Sequence, residues 1–228
     1  MAISPSRVST LALAFLLATT GLSFGQGVKL VPAKNFDNFR IFTKSGKMGK
    51  DPKGVFKLQQ GVLKVSGAEA GFLISKRTYK NYSLTVEYRW QSKAPDRDSG
   101  VFVNAVEKGG RFTALECDIP GPKAGLPGRL WLFGRGAKKI TSGGKTIVKQ
   151  GVAPTQKKSL EKPTGEWNVM KVVCRDGRFE IELNGQTTVR GKDPTPRAGS
   201  IMLQSSKGGI QFRRLEVTDY DAGDSPRN

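Results

Sequence analysis

Histidine is absent from the 228-residue chain. That excludes Ser-His-Asp and Cys-His nucleophilic catalysis and the usual imidazole-bearing zinc sites. Acid–base chemistry has to come from carboxylates, Lys, Tyr or Cys. Cysteine is scarce: Cys117 and Cys174 are the only two. Each sits inside an apolar stretch, where a disulfide and two separate core thiols are both open readings. Negative charge is short as well, with 19 Asp and Glu against 38 Lys and Arg, a net charge of +19. Beyond residue 25 no apolar run approaches the roughly 20 residues that a membrane helix needs. No segment sustains a 3.6-residue apolar repeat either, so helices have no signal.

The one long apolar run lies at the start. Arg7 precedes apolar residues 8–22, and Ser23-Phe24-Gly25 places small residues at −3 and −1 from Gln26. These are the parts of a secretory signal peptide over residues 1–25, with an uncleaved anchor as the alternative. Residues 26–228 are then expected to form one domain, exported to the periplasm or the extracellular space, with no membrane span after cleavage. No nucleic-acid-reading motif accompanies the basic residues, and an exported protein rarely meets nucleic acid. An anionic envelope surface or acidic polysaccharide suits the field better, against the plainer reading of a merely soluble basic surface.

What remains is short strands and glycine turns. Tyr82, Leu84, Val86, Tyr88 and Trp90 alternate with polar residues, a strict period of two. Strands are expected at 55–58, 62–66, 71–75, 82–90, 100–105, 112–119, 167–175, 178–184, 199–205 and 210–218. Asp176-Gly177 is a hairpin turn signal, and Asn184-Gly185 repeats its chemistry. A parity shift between Phe212 and Leu215 predicts a bulge at Arg213-Arg214. Residues 120–165 read as a long Gly- and Lys-rich excursion with strands only at 129–133 and 146–148. Residues 219–228 read as a polar tail. The sum is an all-β fold, a jelly-roll β-sandwich of two antiparallel sheets.

Candidate chemistry concentrates in residues 98–121, DSGVFVNAVEKGGRFTALECDIPG. On a strand, residues i and i+2 share a face, so Glu116 and Asp118 point one way while Leu115, Cys117 and Ile119 point the other. Gly143-Gly144-Lys145-Thr146 imitates the end of a phosphate loop, but Lys139 stands where its first glycine belongs and no helix follows. Asp96, Asp98 and Ser99 are too few to specify Ca²⁺. No metal or cofactor is assigned.

Glu116-Cys117-Asp118-Ile119-Pro120-Gly121 resembles the catalytic strand of laminarinase-type β-glucanases, without the final Glu of that pattern. A broader resemblance spans residues 36–219. The segments FKLQQGVLKVS (56–66), GFLISK (71–76), YSLTVEYRW (82–90), DSGVFV (98–103), LECDI (115–119), TGEWN (164–168), LNG (183–185), GSIMLQ (199–204) and FRRLEV (212–217) follow one another in this order. The chain is similar in this to the 3-keto-disaccharide hydrolase domain family. The resemblance implies a concanavalin-like jelly roll that cleaves glycosidic bonds of sugars oxidised at C3, by β-elimination and hydration. It implies Glu116 as the base and Asp118 beside it as the catalytic pair. Arg89, Asn104, Trp131, Gln204 and Arg213 are the residues assigned to substrate. Arg89, or Arg213 if the bulge turns it inward, would hold the oxyanion. The chain departs from the family pattern at Asp98, Asn104, Asp118 and Ser205-Ser206-Lys207. Those departures leave a second reading, a non-catalytic carbohydrate-binding or cell-envelope module on the same fold, with Trp131 as a stacking aromatic.

Overall fold

The computed structural model describes residues 27–30, 35–136, 138–149 and 151–221. The expected signal peptide, residues 1–25, and residues 222–228 of the polar tail lie outside them. Eighteen strands and no helix occur among the described residues. They are β1 Gly27–Lys29, β2 Phe39–Thr43, β3 Lys47–Met48, β4 Phe56–Gln59, β5 Val62–Val65, β6 Gly71–Ser75, β7 Tyr82–Trp90, β8 Asp98–Lys108 and β9 Arg111–Pro120. The chain continues with β10 Arg129–Phe133, β11 Lys139–Ser142, β12 Lys145–Ile147, β13 Gly151–Val152, β14 Asn168–Arg175, β15 Arg178–Leu183, β16 Gln186–Thr195, β17 Ser200–Ser205 and β18 Ile210–Asp219.

The strands form two antiparallel sheets. The ten-stranded sheet runs β12-β11-β16-β15-β14-β7-β18-β5-β4, with β1 also on β18, and the eight-stranded sheet runs β13-β10-β9-β8-β17-β6-β2-β3. This is the two-sheet β-sandwich that the alternation predicts and the concanavalin-like jelly roll that the resemblance implies. The inward residues of β7 are the reason it closes: Tyr82, Leu84, Val86, Tyr88 and Trp90 are each at most 1% exposed. They pack against Leu115, Cys117 and Ile119 of β9 across the sandwich. A second apolar cluster covers the outer face of the eight-stranded sheet, where Phe72, Phe102, Phe112 and Met202 pack with Phe42 and Phe133.

Turn chemistry sets the hairpins. Asp176 and Gly177 take φ of 50° and 75°, and Asn184 and Gly185 take 49° and 81°, the paired positive values of the turn that matches strand twist. The predicted bulge is present: the β18–β7 register shifts between Arg213 and Glu216, and Arg214 has φ 49°.

Six strands fall outside the expected set: β1, β2, β3, β11, β13 and β16. β16 follows the Asn184-Gly185 turn with too many polar residues to show a period. The 120–165 excursion is also more ordered than a loop, because β11 and β12 form a hairpin on the edge of the ten-stranded sheet. Its last part is strapped down. Glu161 accepts hydrogen bonds from Tyr88 Oη (3.1 Å), Trp90 Nε1 (3.0 Å) and Arg97 Nη2 (3.1 Å). Asn184 Nδ2 donates to the Leu160 carbonyl at 2.8 Å, and the Lys162 amide donates to Asn168 Oδ1 at 2.8 Å. The cysteines are free and buried. Cys117 lies on β9 and Cys174 on β14, in opposite sheets.

Arg97 and Glu161 side chains are each 8% exposed. Removing one partner of a buried pair strands the other's charge. Arg97→Met should therefore lower unfolding stability by on the order of 3 kcal/mol, read from urea unfolding. A loss near zero would show that the strap needs no cation.

Candidate active site

β9 carries the site because its neighbours place complementary groups beside it. Glu116 lies between Phe102 of β8 and Trp131 of β10, and Asp118 between Gly100 and Arg129. Directly opposed side chains on adjacent strands touch, so Arg129 and Asp118 meet by register alone. Arg129 Nε donates to Asp118 Oδ2, and Trp131 Nε1 donates to the same oxygen at 2.8 Å. The Arg129 guanidinium also stacks 4.9 Å from the Trp131 ring centroid. Gly100 leaves the Glu116 carboxyl its place: a Cβ there would stand 2.9 Å from Glu116 Oε1 and 3.2 Å from its Cγ and would push that side chain aside.

Asp98, Glu116, Asp118, Arg129, Trp131 and Gln204 line one cleft of about 390 Å³ on the outer face of the eight-stranded sheet. Phe133 forms part of its wall and packs edge-on against Phe102 at 5.0 Å. Ser99 Oγ donates to the Gln204 carbonyl at 2.8 Å and so holds β17 to β8 beneath the cleft. Two buried oxygens, Asp118 Oδ1 and Gln204 Oε1, accept no hydrogen bond.

The electrostatics are unequal. Burial, reinforced by Asp118 and then by Asp98, pushes the Glu116 carboxyl up to about 9. Burial also raises Asp118, while the adjacent Arg129 and the Trp131 hydrogen bond pull it back. Two carboxyls on one strand face with one nearby cation cannot both ionise cheaply. Asp118 takes the cation and Glu116 keeps the proton.

The assigned residues divide. Glu116, Asp118, Trp131 and Gln204 converge, whereas Arg89, Arg213 and Asn104 do not. Arg89 and Arg213 project from the outer face of the other sheet, their guanidinium carbons 4.5 and 4.0 Å from the Trp167 ring centroid. The bulge leaves Arg213 outward, where its Nε donates to Glu87 Oε2 at 2.6 Å. Asn104 is fully buried at a bulge in β8; it accepts from Tyr82 Oη at 2.9 Å and donates to the Pro196 carbonyl at 3.0 Å. The cation of the cleft is Arg129, which the sequence reading did not select. Its only signal is parity, Arg129-x-Trp131 facing Glu116-x-Asp118, and parity becomes visible once β9 and β10 are known to pair. Asp98 reaches the cleft, while Asp96 lies 3.6 Å from Lys207 Nζ. Among the described residues no group of three or more His, Cys, Asp or Glu is arranged to hold a metal.

Protonated Glu116 has a consequence for stability. An unfolded glutamate titrates near 4.5, whereas in the fold it keeps its proton to about 9. The stabilising contribution is full below about 4.5 and is lost as pH rises toward 9, because the unfolded chain gives up the proton first. Glu116→Gln stays neutral throughout. It should unfold at a higher temperature than wild type at pH 8, by on the order of 5 °C, with the gap closing at pH 4. Circular dichroism melts at the two pH values check this, and a gap independent of pH would overturn it.

Comparisons with known proteins agree with the architecture. A candidate glycosyl hydrolase from Parabacteroides distasonis ATCC 8503 superposes with TM-score 0.60 at 20% identity, covering 86% of this chain and 94% of that one. A Bacillus subtilis protein with a galectin-like fold gives TM-score 0.58 at 11% identity, covering 85% and 94%. The Bacillus licheniformis β-glucanase gives 0.52 at 10% identity, covering 87% and 99%. At these identities the likeness is one of fold. No curated protein matches the chain in sequence. The profile of the 3-keto-alpha-glucoside-1,2-lyase-like domain matches residues 26–218, so nearly the whole chain belongs to that family and the protein is carbohydrate-active.

Proposed function

We propose that this protein is an exported enzyme that cleaves the glycosidic bond of 3-keto-disaccharides or 3-keto-glucosides by β-elimination followed by hydration. The observation that carries the reading is Glu116, a cleft carboxyl whose affinity for a proton is raised to about 9. Export rests on the basic, apolar and small-residue order of residues 1–25.

A ketone at C3 makes the C2 proton acidic but still far weaker as an acid than a carboxyl. A base of raised pKa abstracts such a proton more effectively than an ordinary carboxylate. Ionised Glu116 takes the C2 proton, and the electron pair moves onto the C3 oxygen as an enolate. Arg129, a fixed cation in the cleft, stabilises that oxygen. The enolate collapses to a C1–C2 double bond conjugated with the ketone and expels the C1 aglycone oxygen. Glu116, now protonated, returns its proton to that oxygen. Water then adds at C1, and the proton it releases goes to C2. Asp118 Oδ1 and Gln204 Oε1, buried without donors, suit two hydroxyl groups of the sugar. Trp131 serves here as a wall, since its N–H is committed to Asp118.

The test is release of nitrophenol from a 4-nitrophenyl 3-keto-glucoside. Only the ionised base is active, so kcat/KM should rise about tenfold per pH unit below the Glu116 pKa of about 9 and level off there. Glu116→Gln should lower it by at least about 10²-fold. Equal rates for wild type and variant would remove Glu116 as base, and no release by either would remove the substrate class.

A further inference from the structure

The sheet opposite the cleft carries a basic groove that the proposed reaction does not use. One cavity of about 180 Å³ lies at the β14–β15 turn, walled by Lys80, Arg175, Arg178 and Arg197 and floored by Cys174 and Pro194. A second, of about 620 Å³, shares Arg175 and Arg178 and runs on to Arg190 along the outer face of the ten-stranded sheet. The cleft lies on the outer face of the eight-stranded sheet, whereas the groove lies at the β14–β15 turn and on the outer face of the ten-stranded sheet, so the sandwich stands between them.

Most arginines of the surface are already neutralised. Arg213 and Arg214 pair with Glu87, Arg77 with Asp219 and Arg40 with Glu107. In the groove Arg197 pairs with Asp193, Arg190 with Glu180, and Arg175 sits 3.4 Å from Asp176, while Lys80 and Arg178 contact no carboxylate among the described residues. Five cations therefore share the groove lining with two carboxylates, Asp176 and Glu180. Two successive cavities with a shared arginine wall suit anions repeated along one chain better than a single small ion. Guanidinium forks pair carboxylates in two-point geometry.

We propose that this groove docks an acidic polysaccharide, a chain bearing carboxylates on successive sugars, separately from the cleft. Docking there would hold the protein on a glycan surface without occupying the reacting site, and it does not depend on the chemistry proposed for Glu116.

The experiment measures binding of the full chain to immobilised polygalacturonate, with fully methyl-esterified polymer as the neutral counterpart and duplex DNA as a second polyanion. Two variants with the same change of charge are compared, Arg175→Glu/Arg178→Glu in the groove and Lys57→Glu/Lys64→Glu at the far edge of the same sheet. All four positions are exposed, so both variants should melt close to wild type. The expected result is binding to polygalacturonate that weakens with salt, absence of binding to the esterified polymer, and at least about a tenfold loss in the groove variant against less than about twofold in the control. Equal losses in both variants would reduce the effect to overall charge and overturn the proposal. So would an unaffected groove variant, wild type that fails to bind polygalacturonate, or DNA binding as tight as polygalacturonate binding.

Discussion

The pleat of β9 is the constraint from which the site follows. A strand cannot send Leu115, Cys117 and Ile119 into the core without sending Glu116 and Asp118 out together on the opposite face. Two carboxyls held that closely, under a cover of Trp131, Phe133 and Phe102, leave room for one negative charge and one proton. Arg129 decides which. It stands directly opposite Asp118, so Asp118 takes the charge and Glu116 is left with a proton it releases only near pH 9. A fold selected for stability alone would place a neutral side chain at 116. A carboxyl stands there instead, with Gly100 leaving space for it, and this cost in stability is what supports the proposed role of Glu116.

The 120–165 excursion binds the site to the body of the fold. β10 supplies Arg129, Trp131 and Phe133 to the cleft, while the same excursion ends by delivering Glu161 to the buried trio of Tyr88, Trp90 and Arg97. Arg97 is also the residue before Asp98, and its carbonyl accepts the Gly121 amide at 2.6 Å. Both ends of the excursion are therefore fixed next to the same short stretch, 97–98. A segment that looks like a long loop in composition is in structural terms the second wall of the candidate site.

How much of this was legible follows from what alternation encodes. Period two in β7 and glycine in the turns at 176–177 and 184–185 were enough for strands, hairpins and the sandwich. The same signal placed Glu116 and Asp118 on one face. It does not encode which strands become neighbours. Arg89 is outward by parity, yet outward from the ten-stranded sheet, and the bulge leaves Arg213 on that same outer face instead of turning it inward, so Trp167 and Glu87 hold them there. Asn104 sits at a bulge, which resets parity and turned it into the core. Arg129 was overlooked for the complementary reason, since only the β9–β10 register makes it a neighbour of Asp118. β16 went unseen because its outward positions are polar and its inward ones include Thr188, whose hydroxyl donates to the Gly128 carbonyl instead of filling space.

Charge then has two scales in this molecule, and they pull in opposite directions. The chain as a whole is strongly positive, +19 over 228 residues, yet its cleft gathers three carboxyls around one arginine. A diffuse positive field favours arrival of anionic glycans but is too screened beyond about 8 Å to ionise Glu116. The local acids govern the proton there. The two sheets resolve the conflict. Lys80 and Arg178, without carboxylate partners among the described residues, line the groove at the β14–β15 turn of the ten-stranded sheet, and the three cleft acids lie on the outer face of the eight-stranded one. The proposed chemistry asks the cleft to take a proton from a neutral keto sugar and return it, a task for ionised Glu116 with its raised proton affinity, while the cations of the other sheet stay available to the proposed polymer.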